Sequence, residues 1–360
     1  MILANDFQRQ WADAGADVLA AVTEVGESGW YVLGKQVAGF EAALAQYWGL
    51  PHAVGVANGL DAIEMSLRAL GCGPGDFVLT SPISAFATAL AIIKLGATPV
   101  FADCAANGLV DLDDCREILS KRPEIHYFVP VHLYGHCLDI TKLEALRDEF
   151  GVQIVEDCAQ SIGTACGRVG QLAATSFYPT KNLGALGDGG AVLCRSDELA
   201  AKVRQLRDYG QSRKYVHDVA GYNSRLDELQ AAVLLKTFLP RLAGWTKRRQ
   251  AIAAAYRAGL SNPRITVPEA PADSVWHLFP VLVEGPKTEA LAYFRAAGIG
   301  VAEHYPQALI EQPALGATFD RKGCERAKQF CRQQMSLPIH PYLTDEEVQK
   351  VIEVANSWRG

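Results

Sequence analysis

The sequence contains no C-x-x-C pair and no Cys/His set at zinc-binding spacing, so its nine cysteines outline neither a metal knuckle nor a disulfide framework. They read instead as small buried hydrophobes in a reducing compartment. No stretch is strongly basic: 34 Lys and Arg stand against 40 Asp and Glu, a formal charge of −6. That balance argues against binding to a nucleic-acid backbone. It leaves small anions open, because backbone N–H groups and local charge decide those. Long apolar runs are also lacking. The most apolar one, Ala85 to Ile93, stops at Lys94, far short of a membrane span. Asn5, Asp6 and Arg9 interrupt the opening residues, so no secretory leader is read there. The expectation is a cytoplasmic protein with no membrane partner. There is no internal repeat and no low-complexity segment. What is present is ordinary for a globular fold: 49% hydrophobic and 21% charged residues over 360 positions. That length suggests about two domains and a core that needs no staples.

From Gly34 to about Phe238 the chain alternates helix-like and strand-like patterns. Val37, Phe40, Leu44 and Tyr47 recur at helical spacing. His52–Val56, Phe77–Leu79, Pro99–Ala102, Tyr127–Val131 and Val152–Glu156 read as strands, with helices over Leu60–Leu70, Ala85–Leu95, Asp111–Ser120 and Thr141–Phe150 between them. This rhythm predicts an α/β fold, a mostly parallel central sheet flanked by helices. Strands are next expected at Ser176–Tyr178 and Ala191–Cys194, and helices at Leu199–Tyr209, Asp227–Phe238 and Arg241–Leu260. After Pro263 a smaller α+β unit follows, with strands at Val275–Val283 and Gly298–Ala302 and helices at Thr288–Ala297, Cys324–Gln334 and Asp345–Asn356. The division is placed between residues 1–245, with an N-terminal helical segment, and 246–360.

Three segments carry chemistry. In Ser176-Phe177-Tyr178-Pro179-Thr180-Lys181-Asn182-Leu183-Gly184, one lysine lies among small and apolar residues. A lysine is ordinarily a solvated surface charge. A crowded apolar site instead favours its neutral amine, the form that attacks a carbonyl to make a Schiff base. Pyridoxal phosphate (PLP) chemistry needs such a lysine and an acid beside the pyridine nitrogen. Asp157 closes the buried run Val152–Glu156, at the strand end where α/β sheets bind ligands. Alone it reads as a helix cap or turn residue; with Lys181 downstream it reads as that acid. Asn58-Gly59-Leu60 joins a strand to a helix start, where exposed N–H groups suit a phosphate.

These segments resemble the DegT/StrS-type family of PLP-dependent nucleotide-sugar aminotransferases. Similar stretches run from Ser28-Gly29-Trp30-Tyr31 through Pro130-Val131-His132-Leu133-Tyr134-Gly135, Gly221-Tyr222-Asn223-Ser224-Arg225-Leu226-Asp227-Glu228 and His304-Tyr305-Pro306 to Ser336-Leu337-Pro338-Ile339-His340. The resemblance implies fold type I with a smaller C-terminal domain. It implies PLP as cofactor, no metal, and a homodimer with shared active sites. Lys181 matches the family's Schiff-base lysine, Asp157 the pyridine-nitrogen partner and Gln160 the residue at the ring's phenolic oxygen. Ser176, Gly59 and Leu60 match the phosphate cup, and Asn223 the phosphate ligand from the second subunit. Tyr31, Tyr178, His304 and Tyr305 fall where the sugar is lined. Two positions depart from the family pattern. Leu60 stands where a threonine hydroxyl commonly meets the phosphate. In Pro82-Ile83-Ser84-Ala85-Phe86-Ala87-Thr88, Ala85 takes the place of the ring-stacking aromatic, so Phe86 either stacks after a local shift or packs in the core.

The implied reaction is ping-pong transamination of a nucleotide-linked keto-sugar with L-glutamate as donor. The Asn223–Glu228 variant and Trp30-Tyr31 resemble members that aminate C3 of a dTDP-linked 3-keto-6-deoxyhexose, giving a 3-amino-3,6-dideoxyhexose for lipopolysaccharide O-antigen, capsule or a glycosylated metabolite. A C4 aminotransferase on a UDP- or dTDP-4-keto-sugar is the alternative. A non-catalytic regulatory or interaction module is a further one, which the joint presence of Lys181, Asp157 and Gln160 disfavours.

Overall fold

The computed structural model describes all residues except 317, 318, 320 and 321. In chain order the elements are α1 (Phe7–Ser28), α2 (Lys35–Trp48), β1 (His52–Val56), α3 (Gly59–Ala69), β2 (Phe77–Thr80), α4 (Phe86–Lys94), β3 (Thr98–Phe101), α5 (Leu112–Lys121), β4 (Ile125–Val129), α6 (Ile140–Phe150) and β5 (Gln153–Asp157). They continue with β6 (Leu172–Ser176), β7 (Gly190–Cys194), α7 (Asp197–Arg207), the hairpin β8 (Gln211–Arg213) and β9 (Val216–His217), and α8 (Glu228–Val233), which runs on as a π-helical turn over Leu234–Phe238. Then come α9 (Leu242–Gly259), β10 (Ile265–Thr266), β11 (Phe279–Val283), α10 (Lys287–Ala296), α11 (Glu325–Gln333), β12 (Gln334–Leu337) and α12 (Asp345–Ser357).

The central sheet has seven strands in the order β1-β7-β6-β5-β4-β2-β3. The pairs β2·β3, β2·β4, β4·β5 and β5·β6 are parallel, whereas β7 lies antiparallel to both β1 and β6. Side chains alternate across it. In β5, Ile154 packs with the α5–α6 side and Val155 with the α3 and α7 side. Burial on both faces explains why the inner strands read as near-continuous apolar runs. A second sheet, β10-β11-β12, is antiparallel. Its apolar face packs with Ile252 and Tyr256 of α9, Phe294 of α10 and Val351 of α12. The division between residues 245 and 246 falls inside α9.

Helix ends follow local chemistry. Asp6 caps α1 by accepting from the Arg9 N–H, and Gly29, at φ 63°, closes it in the left-handed region. Helix α2 has no cap of its own. The buried Glu228 carboxylate supplies one from α8, accepting from the N–H groups of Gly34, Gln36 and Val37 at 2.8–3.0 Å. A Cβ at Gly34 would lie 2.8 Å from that carboxylate, so the residue before α2 must be glycine or the cap is lost.

Three expected strands differ, and that at Val275–Val283 forms only over Phe279–Val283, as β11. The one placed at Ser176–Tyr178 is β6 at Leu172–Ser176; Phe177 still donates to the Gly189 carbonyl in the same antiparallel register, and the chain then turns, with the Lys181 N–H on the Tyr178 carbonyl. Gly298–Ala302 forms no strand; Ile299 bridges Ile2 and Ala302 bridges Ser336 singly. All nine cysteines are buried and free. No helix among the described residues is long and apolar enough to cross a membrane.

Candidate active site

Strand β5 delivers Asp157 to the carboxyl edge of the parallel sheet, beside a cavity of about 670 Å³. The loop between β6 and β7 brings Lys181 to the same cavity. Two glycine-dependent contacts fix that loop. Gly184 lies so close to Pro179 that a Cβ would sit 2.2 Å from the Pro179 carbonyl oxygen, and Gly190 would put one 2.4 Å from the backbone of Asn58. Both are positions where only glycine allows the backbones to meet.

Lys181 Nζ has no hydrogen-bond or ion-pair partner among the described residues. Burial lowers its pKa to about 8, and the charge of Asp157 partly offsets that fall. Asp157 moves the other way. Burial raises its pKa, opposed by the Ala159 N–H at 3.1 Å, the Thr88 hydroxyl at 2.9 Å and the charge of Lys181. Thr88 is itself held by Ser84 at 2.8 Å. A lysine that gives up its proton more readily than usual thus shares the cavity with a carboxylate more basic than usual.

The opposite wall is the start of α3. Asn58 caps it by accepting from the Asp61 N–H at 2.8 Å, so the N–H groups of Gly59 and Leu60 have no intrahelical acceptor. Ser176 lies against Gly59, where a Cβ would come within 2.7 Å of the serine Cβ. Gly59, Leu60 and Ser176 all line the cavity.

Gln160 lines it too. Its side-chain oxygen accepts from the Tyr134 N–H at 2.7 Å, and its amide nitrogen lies 3.2 Å from the Tyr305 hydroxyl. His304 and Tyr305 line the cavity, with His304 Nδ1 2.9 Å from the Ser336 hydroxyl. Burial first, then the charge of Lys181, lowers the His304 pKa to about 4, so its ring is neutral. Tyr178 lines the mouth and is half-exposed.

Three of the residues singled out in the sequence stand apart. Phe86 does not line the cavity. It opens α4 and packs against the α5–α6 side of the core, so Ala85, Ser84 and Thr88 form the wall there. Tyr31 and Asn223 are exposed and do not line this cavity. Thr88 and His277 are site residues that the sequence reading did not single out. Thr88 was legible only as part of the segment around Phe86. His277 lines the cavity with Nδ1 3.2 Å from the Asn182 side-chain oxygen.

Directly behind Asp157, His132, Glu156 and Cys158 gather within metal-binding reach, the one such group among the described residues. Glu156 is already saturated. It accepts from the N–H groups of Gly167, Val169 and Gly170 at 2.7–2.8 Å and from His132 Nε2 at 2.9 Å. His132 Nδ1 accepts from the Leu138 N–H, which leaves the Nε2 proton for Glu156. The cluster is a buried brace for the strand end that carries Asp157.

A cavity that joins a lysine of lowered pKa, a buried acid and a helix N-terminus defines a site for covalent amine chemistry on an anionic ligand. Residues 12–355 match the DegT/DnrJ/EryC1/StrS aminotransferase family, and the chain belongs to it. It is 42% identical over 362 aligned positions to dTDP-3-amino-3,4,6-trideoxy-alpha-D-glucose transaminase of Streptomyces venezuelae, covering 98% of this chain and 95% of that protein. It is 38% identical to dTDP-3-amino-3,6-dideoxy-alpha-D-galactopyranose transaminase of Aneurinibacillus thermoaerophilus, over 95% of each. The crystal structure of S. venezuelae DesV in complex with a ketimine intermediate superposes with a TM-score of 0.93 at 41% identity, covering 98% of this chain and 97% of that one. The fold is therefore that of the aminotransferases.

Proposed function

We propose that the chain is a PLP-dependent aminotransferase that aminates C3 of a dTDP-linked 3-keto-6-deoxyhexose, with L-glutamate as donor. The observation that carries this reading is the pairing of Lys181 and Asp157 across one buried cavity. The names of the two transaminase relatives, both of 3-amino sugars, support the C3 position.

The residues present fit the cofactor. Gly59 leaves a cradle that a Cβ would fill, at unpaired helix N–H groups and beside the Ser176 hydroxyl, which suits a phosphate. Asp157 would hold the pyridine nitrogen, kept in place by Thr88 and the Ala159 N–H. Gln160 would meet the phenolic oxygen, and Ala85 leaves one ring face without an aromatic. PLP, when bound, supplies an electron sink for the carbon that loses a proton. Lys181 supplies the base: an amine with a pKa of about 8 takes up and returns a proton near neutral pH. The neutral His304 and His277 rings add no charge beside that amine, so burial and Asp157 alone set its pKa. Tyr178, His304 and Tyr305 stand where the hexose would enter.

Asn223 and Tyr31, exposed and away from their own cavity, support a homodimer in which each subunit completes its partner's site. A cytoplasmic role in making a deoxyamino sugar for a surface polysaccharide or glycosylated metabolite is consistent with this chemistry.

The test is a panel of dTDP-linked 3-keto and 4-keto sugars offered to the yellow holoenzyme with glutamate. Amination of the 3-keto substrates is expected, together with loss of visible absorbance on borohydride treatment and no turnover by Lys181→Ala. Turnover of 4-keto substrates alone would overturn the C3 assignment. A colourless protein that takes up no PLP would overturn the enzyme reading.

A further inference from the structure

Behind the Lys181 loop lies a second, small cavity of about 30 Å³, which shares Asn5, Thr180 and Lys181 with the large one. Two buried side chains face it with hydrogen-bonding groups unused. Arg249, 4% exposed in α9, donates through Nη1 to the Ile339 carbonyl and lies 3.4 Å from those of Trp276 and His277. Its Nε has no partner, and no carboxylate lies within ion-pair distance of it among the described residues. Carbonyl dipoles do not neutralise a buried charge, and burial alone pulls the Arg249 pKa down to about 10. His340, 3% exposed, has both ring nitrogens without a hydrogen-bond partner. Burial, then the charge of Arg249, lowers its pKa to about 4, so the ring is neutral, and the Leu3 backbone carbonyl lies close enough to draw on its one N–H. The one carboxylate on the cavity wall, Asp6, is engaged by Arg9 through its N–H at 2.9 Å and its Nε at 3.4 Å.

A buried guanidinium with no carboxylate partner and a free Nε, beside a neutral imidazole and a small void, describes a site for a compact anion. A halide ion or the head of a carboxylate matches that void. The large cavity offers no competing cation for a carboxylate. Of the lysines that line it, Lys94 is paired with Glu64 at 2.5 Å, and Lys181 is assigned to the chemistry.

We propose that Arg249 and His340 form a compact-anion site next to Lys181, filled by a carboxylate of the amino donor or by a halide ion from solvent. The donor half of this proposal rests on the aminotransferase reading; the anion site itself does not. Lys181 and Thr180 line both cavities, so a carboxylate seated there lies next to the residue assigned to the chemistry.

Crystals of the holoenzyme soaked in sodium bromide test the site without turnover. An anomalous peak within hydrogen-bond distance of Arg249 Nε is expected. Only water at that position in the wild-type protein overturns the proposal. The two sources are separated by kinetics at constant ionic strength, with bromide replacing isethionate. If the donor carboxylate uses the site, bromide raises KM for L-glutamate at least fivefold, competitively, and leaves KM for the sugar unchanged. His340→Gln and Arg249→Lys then raise the glutamate KM at least tenfold with kcat changed less than threefold. Bound bromide with an unmoved glutamate KM retains the anion site and overturns the donor assignment.

Discussion

Lys181 carries an expectation with a magnitude attached. Its ordinary pKa of 10.5 falls to about 8 in the cavity, and burial is the larger cause. At pH 7 a lysine with the ordinary value is neutral about 0.03% of the time; at a pKa of about 8 the fraction is about 10%, roughly 300-fold more. In apoenzyme, that amine is the one expected to react first with a small amine-specific reagent, read peptide by peptide by mass spectrometry. Its rate profile has its midpoint near pH 8, while surface lysines rise toward pH 10 and above. Asp157 pulls the value upward, so Asp157→Asn moves the midpoint below 8 although it removes a negative charge from the site. The linkage has a definite sign. A lysine whose folded pKa is depressed is carried at a penalty while both states are protonated, below about pH 8. The penalty fades as pH rises from about 8 toward 10.5, so this group makes apoenzyme more stable across that window. A Lys181 midpoint at or above pH 10, or one that Asp157→Asn shifts upward, would refute the reasoning.

Other expectations follow from single contacts. Gly59→Ala puts a methyl 2.7 Å from the Ser176 Cβ, and PLP affinity measured by equilibrium dialysis falls at least tenfold with little change in melting temperature. Thr88→Val removes the hydroxyl that donates to Asp157, at a cost of about 1–3 kcal/mol in denaturant unfolding, and shifts the pH titration of the bound cofactor's absorbance. For Glu156, burial raises the pKa but hydrogen bonds from His132 and the Gly170 and Gly167 N–H groups outweigh it, so the net shift is downward from 4.5. Its stabilisation is present above pH 4.5 and is lost as pH falls through the lower folded value. Glu156→Gln therefore costs on the order of 3 kcal/mol at pH 7 and flattens the acid limb of the stability curve.

The sheet was legible because its inner strands are covered on both faces, so Tyr127–Val131 and Val152–Glu156 show as apolar blocks between amphipathic helices. The antiparallel strand β7 carries the same apolar signal as its parallel neighbours, and direction is not written in composition. Strand β12 was not read at all. The expected helix Cys324–Gln334 matches α11 to within a residue at each end, and only pairing with β11 shows that Gln334–Leu337 is a strand. In the site, Lys181 and Asp157 stood out because a charge in apolar surroundings is unusual. Thr88 did not, since a threonine in a helix declares nothing until its hydroxyl is seen on the acid. Phe86 shows the converse error. An aromatic near the expected ring position attracts attention, yet the start of α4 at that residue sends its side chain into the core. Arg249 was not visible in the sequence, because it follows Lys247 and Arg248 and nothing in three consecutive basic residues tells which one turns inward; of the three, only Arg249 is buried.

Burial destabilises the charged form of Lys181 and of Asp157 alike, and each charge restores part of what burial removes from the other. Neither group can therefore be tuned alone. A wetter cavity would return Lys181 toward 10.5 and leave it protonated, while a drier one would neutralise Asp157 and cost the site its acid. The brace at Glu156 and His132 lies one residue before Asp157, with four hydrogen bonds on one carboxylate, and it fixes how deep that acid sits. On this view a fully hydrogen-bonded polar cluster lies outside the cavity because its task is to hold Asp157 at a depth where both shifts coexist.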